Sequence, residues 1–272
     1  MLKTIVRFYF RMTEYEKKFI KICEQLKTYL IPYKTNLKKI RIGDDADGGY
    51  VLSDLDNYDA LYSYGSNDQT SFEREFYDKY KKESYVYDHT IDGITDKPDY
   101  IHFFKEGVAP VTRPNMDTID NHIIRNGHTE CKNLLGQIDI EGHEWFLFKD
   151  LKYINNFSQL IIEFHINAEL TQYEQLIHDT FQKLNENFVC THIHGTNCPL
   201  QPWLDGNFPR VFEVTYVRKD LIESKEVEPG VFPIEGLDYP GDPKRVDLRL
   251  DYWHNLKDTS YCDVDVNTQS NS

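Results

Sequence analysis

Cysteine is scarce and scattered in this 272-residue chain: Cys23, Cys131, Cys190, Cys198 and Cys262 are odd in number and form no CxxC pair. That pattern excludes a disulfide framework and predicts a reducing compartment, the cytoplasm, with mostly structural thiols. Cys190 and Cys198 flank His192 and His194, but two cysteines eight apart around HxH match no usual structural-zinc spacing. No apolar run approaches the roughly 18 residues of a membrane span. The opening MLKTIVRFYFRM lacks a small-residue cleavage site and reads poorly as a signal peptide. Basic residues are in deficit, 31 against 45 acidic, for a formal net charge of −14. Such a balance disfavours a nucleic-acid duplex or an anionic membrane as the main partner. The GxGxxG fingerprint is also missing, so dinucleotide binding is poorly supported. Against only 3 methionines stand 19 tyrosines and 16 phenylalanines, a composition suited to sheet-rich packing and a ligand groove lined by rings.

What is present is organised around QIDIEGHEW, residues 137–145, preceded by the strand-like run LLGQIDI. It delivers Asp139, Glu141 and Glu144 within six residues, with Gly142 and His143 between the acids. Open α/β sheets hold ligands at the carboxyl ends of buried strands, where carboxylates are costly unless paired. Glu144 also has a plainer reading as a first-turn helix acid favoured by the macrodipole. A helix is expected to continue from it through Phe146, Leu147, Phe148 and Leu151.

Upstream, residues 13–30 carry helical spacing at Phe19, Ile20, Cys23, Leu26 and Leu30, with Thr13 and Glu16 as a capping box. Two short β pieces, Ile40–Ile42 and Tyr50–Leu52, bracket an acidic turn with Asp44, Asp45 and Asp47, then Gly48 and Gly49. The acids there either edge a site or lie in an ordinary hairpin. Leu61–Tyr64, Gly65 and an amphipathic segment with Phe72 and Phe76 make the first strand–turn–helix unit. The next strand, Ser84–Tyr87, ends in Asp88, 23 residues after Gly65, where an acid would hold a nucleoside ribose. A strand at Tyr100–Lys105 and a helix at Thr118–Arg125, with Ile119, Ile123 and Ile124 inward, precede the central strand.

Downstream come a strand at Gln159–Phe164, ending at His165, and a helix from Thr171 to Leu184. A strand at Phe188–His194 then leads to a hairpin-like partner at Val211–Val217 that contains Glu213. His192 and His194 are read as facing either a site or solvent. The order predicts an α/β sheet, mostly parallel, with one antiparallel edge strand. Residues 229–243 are rich in proline and glycine, which predicts an irregular segment rather than a second domain. A last short element is expected at Asp247–Leu256, before a frayed tail.

RIGDDADGGYVL, LYSYGSNDQTSFEREF, VYDHTIDG, QIDIEGHEW and IIEFH together resemble the FkbM-like class of S-adenosylmethionine-dependent methyltransferases, in particular methyltransferase-domain proteins of metazoa and large viruses. The resemblance implies a Rossmann-like seven-strand sheet of order 3-2-1-4-5-7-6 with the seventh strand antiparallel. It divides the chain into an N-terminal helical extension (1–36), a catalytic domain (37–218) and an irregular C-terminal extension packed on that domain (219–272). By resemblance, Gly65, Ser66 and Asn67 approach the methionine part of S-adenosylmethionine. Asp88, with His89 beside it, holds the ribose, Val108 edges the adenine, and Asp139 closes the site. The GSND turn is less glycine-rich than in relatives, so its polar side chains are expected to supply contacts.

Relatives that methylate sugar hydroxyls, some with a divalent metal, imply a small-molecule or carbohydrate acceptor here. Such chemistry needs a positioned oxygen whose proton is removed as it attacks. His143 is the first choice for the base and His165 the second, with Asp139 catalytic. A Mg²⁺ ion would be held by Asp139, Glu163 and His165. Asp47, Glu141, Glu144, His192, His194 and Glu213 are candidate acceptor contacts. Two rival expectations are an RNA or protein acceptor, and a catalytically inactive sheet that serves as a structural or interaction protein. The N-terminal helix is expected to lie over the sheet, or else to serve as a substrate lid or homodimer contact.

Overall fold

The computed structural model describes residues 14–166, 172–198, 203–204, 208–228 and 232–250. Its centre is a seven-stranded sheet of β1 (Ala60–Tyr64), β2 (Ser84–Tyr87), β3 (Ile101–Phe104), β4 (Leu134–Ile138), β5 (Phe157–His165), β6 (Phe188–Gly195) and β7 (Val211–Arg218). The spatial order is β3-β2-β1-β4-β5-β7-β6. Neighbours from β3 to β5 are parallel, and β7 runs antiparallel to both β5 and β6. This is the strand order of the Rossmann-like methyltransferase sheet. The antiparallel strand lies one place inside the edge, which β6 occupies.

The apolar runs behave as parallel strands covered on both faces should. All of β1 and β4 is buried, as are eight of the nine residues of β5. Alternation along β5 sends Leu160 and Ile162 into one core and Ile161 into the other. On the first face lie α1 (Glu14–Tyr29), α3 (Ile119–Arg125) and α4 (Glu174–Asn187). Phe19, Ile22, Cys23 and Leu26 of α1 join that core, and Tyr29 stacks on Phe181 of α4 at 5.5 Å. On the second face lie α2 (Ser71–Tyr80), through Phe72 and Phe76, and the antiparallel hairpin of Lys39–Ile42 with Tyr50–Ser53.

Four local expectations change. Instead of a helix from Glu144 to Leu151 there is a single 3-10 turn, Glu144–Phe146. Trp145, Leu147, Phe148 and Leu151 are all buried there, so apolar side chains fill the core without helical regularity. Ile124 is 52% exposed, because one step past Ile123 on a seven-residue helix turns it to solvent. His192 and His194 do not face solvent; each is 2% exposed. The helix predicted from Thr171 begins at Glu174, and Thr171, Thr13 of the capping box and the end of the element proposed for 247–256 lie outside the described residues.

Residues beyond β7 fold back against the core and form a separate two-stranded sheet. Lys225–Val227 pairs antiparallel with Tyr33–Thr35. Phe232, Leu248 and Leu250 are buried, and Asp238 Oδ1 sits 2.7 Å from His192 Nε2 while its Oδ2 accepts from the Ile234 amide at 2.7 Å. Burial raises the Asp238 carboxyl, but His192 and the Ile234 amide outweigh it and hold the pKa at about 2. A depressed carboxyl stabilises the fold above its unfolded value of 3.8 and loses that contribution as pH falls through about 2. Asp238→Ala is expected to destabilise the chain by about 3 kcal/mol in urea titrations, since it leaves a buried imidazole unpaired. It should also remove part of the stability lost between those two pH values. Unchanged stability and an unchanged acid limb would contradict the anchor.

Candidate functional site

The site is assembled where β1, β2 and β4 end. Gly65 follows β1 with φ +84°, and a Cβ placed on it would stand 1.8 Å from the carbonyl oxygen of Asp139. Only glycine fits so close an approach. After it, Asn67 and Asp68 take φ of +44° and +58°, a left-handed backbone that Asn and Asp tolerate best among non-glycine residues. The GSND turn therefore keeps a tight conformation with fewer glycines. Its end is pinned by Asp68, which accepts from the Thr95 amide at 2.6 Å and from Thr95 Oγ1 at 2.7 Å.

Asp88 is 5% exposed and faces the same turn. Its Oδ2 accepts from the Asn67 amide at 3.0 Å, and its Oδ1 accepts from the Thr90 amide at 2.7 Å and from Thr90 Oγ1. Burial pushes its carboxyl up, but the bonds from Thr90 and Asn67 prevail and keep it below the ordinary value. Asp88 is thus an ionised acceptor at neutral pH.

A cavity of about 500 Å³ opens between these ends. Its wall includes Gly65, Ser66, Asn67, Asp88, His89, Val108, Asp139, His143, Asp47 and Glu141, so ten of the sequence candidates share one space. Asp47 is carried by the acidic hairpin turn, whose backbone is braced by Arg41. The guanidinium donates to the carbonyls of Asp44 at 2.7 Å and of Ala46 at 2.8 Å. Burial and then Glu213 raise the Asp47 carboxyl.

Beside the cavity, His165 closes the end of β5. Its Nδ1 lies 3.1 Å from Glu144 Oε1, and the same oxygen accepts from the amides of Ile140 and Gly142, each at 3.0 Å. Glu144 is fully buried and does not line the cavity; it ties the loop after β4 to the histidine. With Nδ1 so engaged, Nε2 faces Glu141 at 3.4 Å, Glu163 at 3.6 Å and Asp139 at 3.8 Å. Burial lowers the His165 pKa, but Glu144, Asp139 and Glu141 outweigh it and raise it. Burial, against the pull of His165, pushes the Asp139 carboxyl up to about 7. Glu163 is raised well above the carboxylate range by burial, then by Asp139 and Glu213.

Ligand atoms of Asp139, Glu141 and His165 lie within 4.8 Å of one another, close enough to hold one cation. Glu163 stands next to that group, and Glu213 is its direct cross-strand neighbour. His194 sits apart from the cavity wall, between Glu213 Oε2 at 3.3 Å and Asp247 Oδ2 at 3.0 Å. His192 is likewise committed to Asp238, 2.7 Å away. Of the sequence candidates, Glu144, Glu163, His165, His192, His194 and Glu213 are not part of the cavity wall, and each has a partner in the chain.

No protein-family model matches this chain, and no curated protein matches it. Among solved structures, one titled "Putative hemolysin from Streptococcus thermophilus" is similar at 12% identity and a TM-score of 0.37. The match covers 70% of this chain and 64% of that one, so the chain spans less than two thirds of that protein's length.

Sequence reasoning missed Tyr50, Ser63, Gln69, Glu73 and Gln137, which also line the cavity. Tyr50 lay inside a predicted strand and Glu73 inside a predicted helix, where side-chain direction depends on contacts distant in sequence. The brace at Glu144 gives a differential expectation. Glu144→Ala orphans two backbone amides and an imidazole and should cost about 2–4 kcal/mol in urea denaturation. Glu141→Ala, at an exposed position, should stay within about 0.5 kcal/mol. Equal effects of the two would contradict the role given to Glu144.

Proposed function

We propose that this chain is an S-adenosylmethionine-dependent O-methyltransferase of the FkbM-like class, acting on a hydroxyl of a sugar or glycan. The observation that carries the reading is the convergence of Gly65, Asp88 and Asp139, from three strand ends, on one cavity of about 500 Å³. A crevice at the carboxyl ends of parallel strands, at the change in strand order, is where open α/β sheets take nucleotide ligands.

The residues present fit that cofactor. Among the described residues, the wall carries Asp47, Glu73, Asp88, Asp139 and Glu141 against one arginine, Arg113, which suits a cationic sulfonium. Ser66 Oγ and Asp139 Oδ1 are buried without a hydrogen-bond partner among the described residues, and so have capacity for a ligand. Val108 and Ala109 supply an apolar edge for the adenine. When bound, the cofactor supplies an electrophilic methyl group. Asp88 would hold the ribose hydroxyls, His89 would flank them, and Gly65, Ser66 and Asn67 would hold the methionine part.

His143, exposed on the cavity wall, is placed to take the acceptor proton; His165 lies beside the wall, and its Nε2 is available for that role only without a metal. Asp139 would orient the hydroxyl between them, so that much of the rate comes from positioning. A Mg²⁺ ion would be held by Asp139, Glu141 and His165, with Glu163 beside them rather than in the predicted ligand position. Glu144 on Nδ1 leaves Nε2 to ligate, in the manner of carboxylate–histidine–metal sites. Such an ion would favour the ionised form of the acceptor hydroxyl. Its acidic surroundings make a nucleic-acid acceptor the weaker reading.

Calorimetry should show S-adenosylhomocysteine binding that survives EDTA. A mass screen of mono- and oligosaccharides with S-adenosylmethionine should show gain of one methyl. Asp139→Asn should keep its circular dichroism spectrum and lose turnover by about 100-fold or more. Full activity of that variant on the same acceptor, or methyl transfer into RNA and not into carbohydrate, would contradict the proposal.

A further inference from the structure

Glu73 belongs to the first turn of α2, a helix that sends its neighbours Phe72 and Phe76 into the apolar core. It is 2% exposed and lines the cavity. Its Oε2 has no hydrogen-bond partner among the described residues. Ser63 beside it favours the ionised carboxylate by hydrogen bonding, but also donates to Gln137 Oε1 at 2.8 Å, and Gln137 Nε2 donates to Tyr50 OH at 3.1 Å, so Oε2 is left over. The adjacent cation, Arg74, is turned away, with Nε donating to Thr70 Oγ1 and Nη2 to the Asp96 carbonyl. The macrodipole favours an acid in a first turn, but that benefit does not require burial. A carboxylate sealed into a cavity wall with one oxygen unpartnered is costly, and burial outweighs the help of Ser63 and of the Arg74 charge and raises its pKa. A cationic ligand in the cavity removes that cost.

We infer that Glu73 holds the α-ammonium of the methionine moiety of S-adenosylmethionine. The inference rests on the cofactor reading given above and adds a residue to it. Glu73 lies eight residues after Gly65, on the helix entered from the turn proposed for the methionine part, whereas Asp88 and Val108 belong to the nucleoside end. Of the two cationic centres of the cofactor, the sulfonium has no N–H to donate. The ammonium is a compact donor of three, suited to a buried carboxylate.

The test is calorimetric and needs no acceptor. S-adenosylhomocysteine, its desamino analogue and 5′-methylthioadenosine, which lacks the amino-acid tail, are titrated into wild type and into Glu73→Gln. Wild type is expected to bind S-adenosylhomocysteine about 10- to 100-fold more tightly than the desamino analogue. Glu73→Gln should lose a similar factor for S-adenosylhomocysteine, while its affinity for the other two ligands changes by less than about twofold. Retained binding of 5′-methylthioadenosine shows that the variant is folded. Equal affinity of wild type for S-adenosylhomocysteine and the desamino analogue overturns the inference without recourse to any variant. So does an unchanged S-adenosylhomocysteine affinity in Glu73→Gln. Wild type that binds none of the three overturns the cofactor reading as well.

Discussion

The end of β1 meets the end of β4 with no room for a side chain between them. Gly65 presses against the Asp139 carbonyl, the Asp139 amide donates to the Tyr64 carbonyl at 3.0 Å, and the Gly65 amide donates to the Tyr87 carbonyl at 3.0 Å. Three strand ends are thereby locked at one level. The turn that follows must then bend sharply away, which Asn67 and Asp68 achieve through left-handed backbone. The space left between that turn, Asp88 and the loop after Asp139 is the cavity. Its shape therefore follows from backbone packing, and side chains only line it.

The second organising feature is an alternation of carboxylates and imidazoles across the strand ends. Glu144, His165 and the group of Asp139, Glu141 and Glu163 occupy the β4–β5 side. Glu213, His194 and Asp247 continue it through β7 and β6 into the C-terminal segment. Burial, Glu213 and Asp247 act on His194 with opposite signs, and the two acids prevail, raising its pKa. Each imidazole thus offsets part of the repulsion between neighbouring acids. At Glu163 and Asp139 the compensation is incomplete, and their carboxyls hold protons unusually well. A group of acids in that condition, reaching a cavity through Asp139, is suited to a cation or to hydrogen-bonding a hydroxyl.

The sheet was legible because its strands are buried on both faces and so appear as unbroken apolar runs, as in QLIIEF. Gly65 and Asp88 were legible through strand–turn–helix spacing, a local signal. What escaped depended on partners remote in the chain. Glu144 looks like a first-turn acid, and only the fold brings His165 to it, 21 residues on. His192 and His194 alternate on a strand in a way that fits several roles; their acids lie 46 and 53 residues downstream, in a stretch with no periodic pattern. The helix expected after Glu144 failed because Trp145, Leu147, Phe148 and Leu151 satisfy burial without a helical repeat, a case where apolar content alone does not fix local geometry. Glu73 was hidden for the opposite reason: its helix is regular, and nothing in that regularity tells which turn opens onto a cavity.

The proposed function requires the ends of β1, β2 and β4 to form one nucleoside-binding crevice. A crystal structure of the chain grown with S-adenosylhomocysteine tests it most directly. The account requires the ribose hydroxyls within hydrogen-bond reach of Asp88 and the amino-acid tail beside the Gly65–Asn67 turn. Density for the ligand on another face of the sheet, with the cavity between Gly65, Asp88 and Asp139 left to solvent, would contradict it.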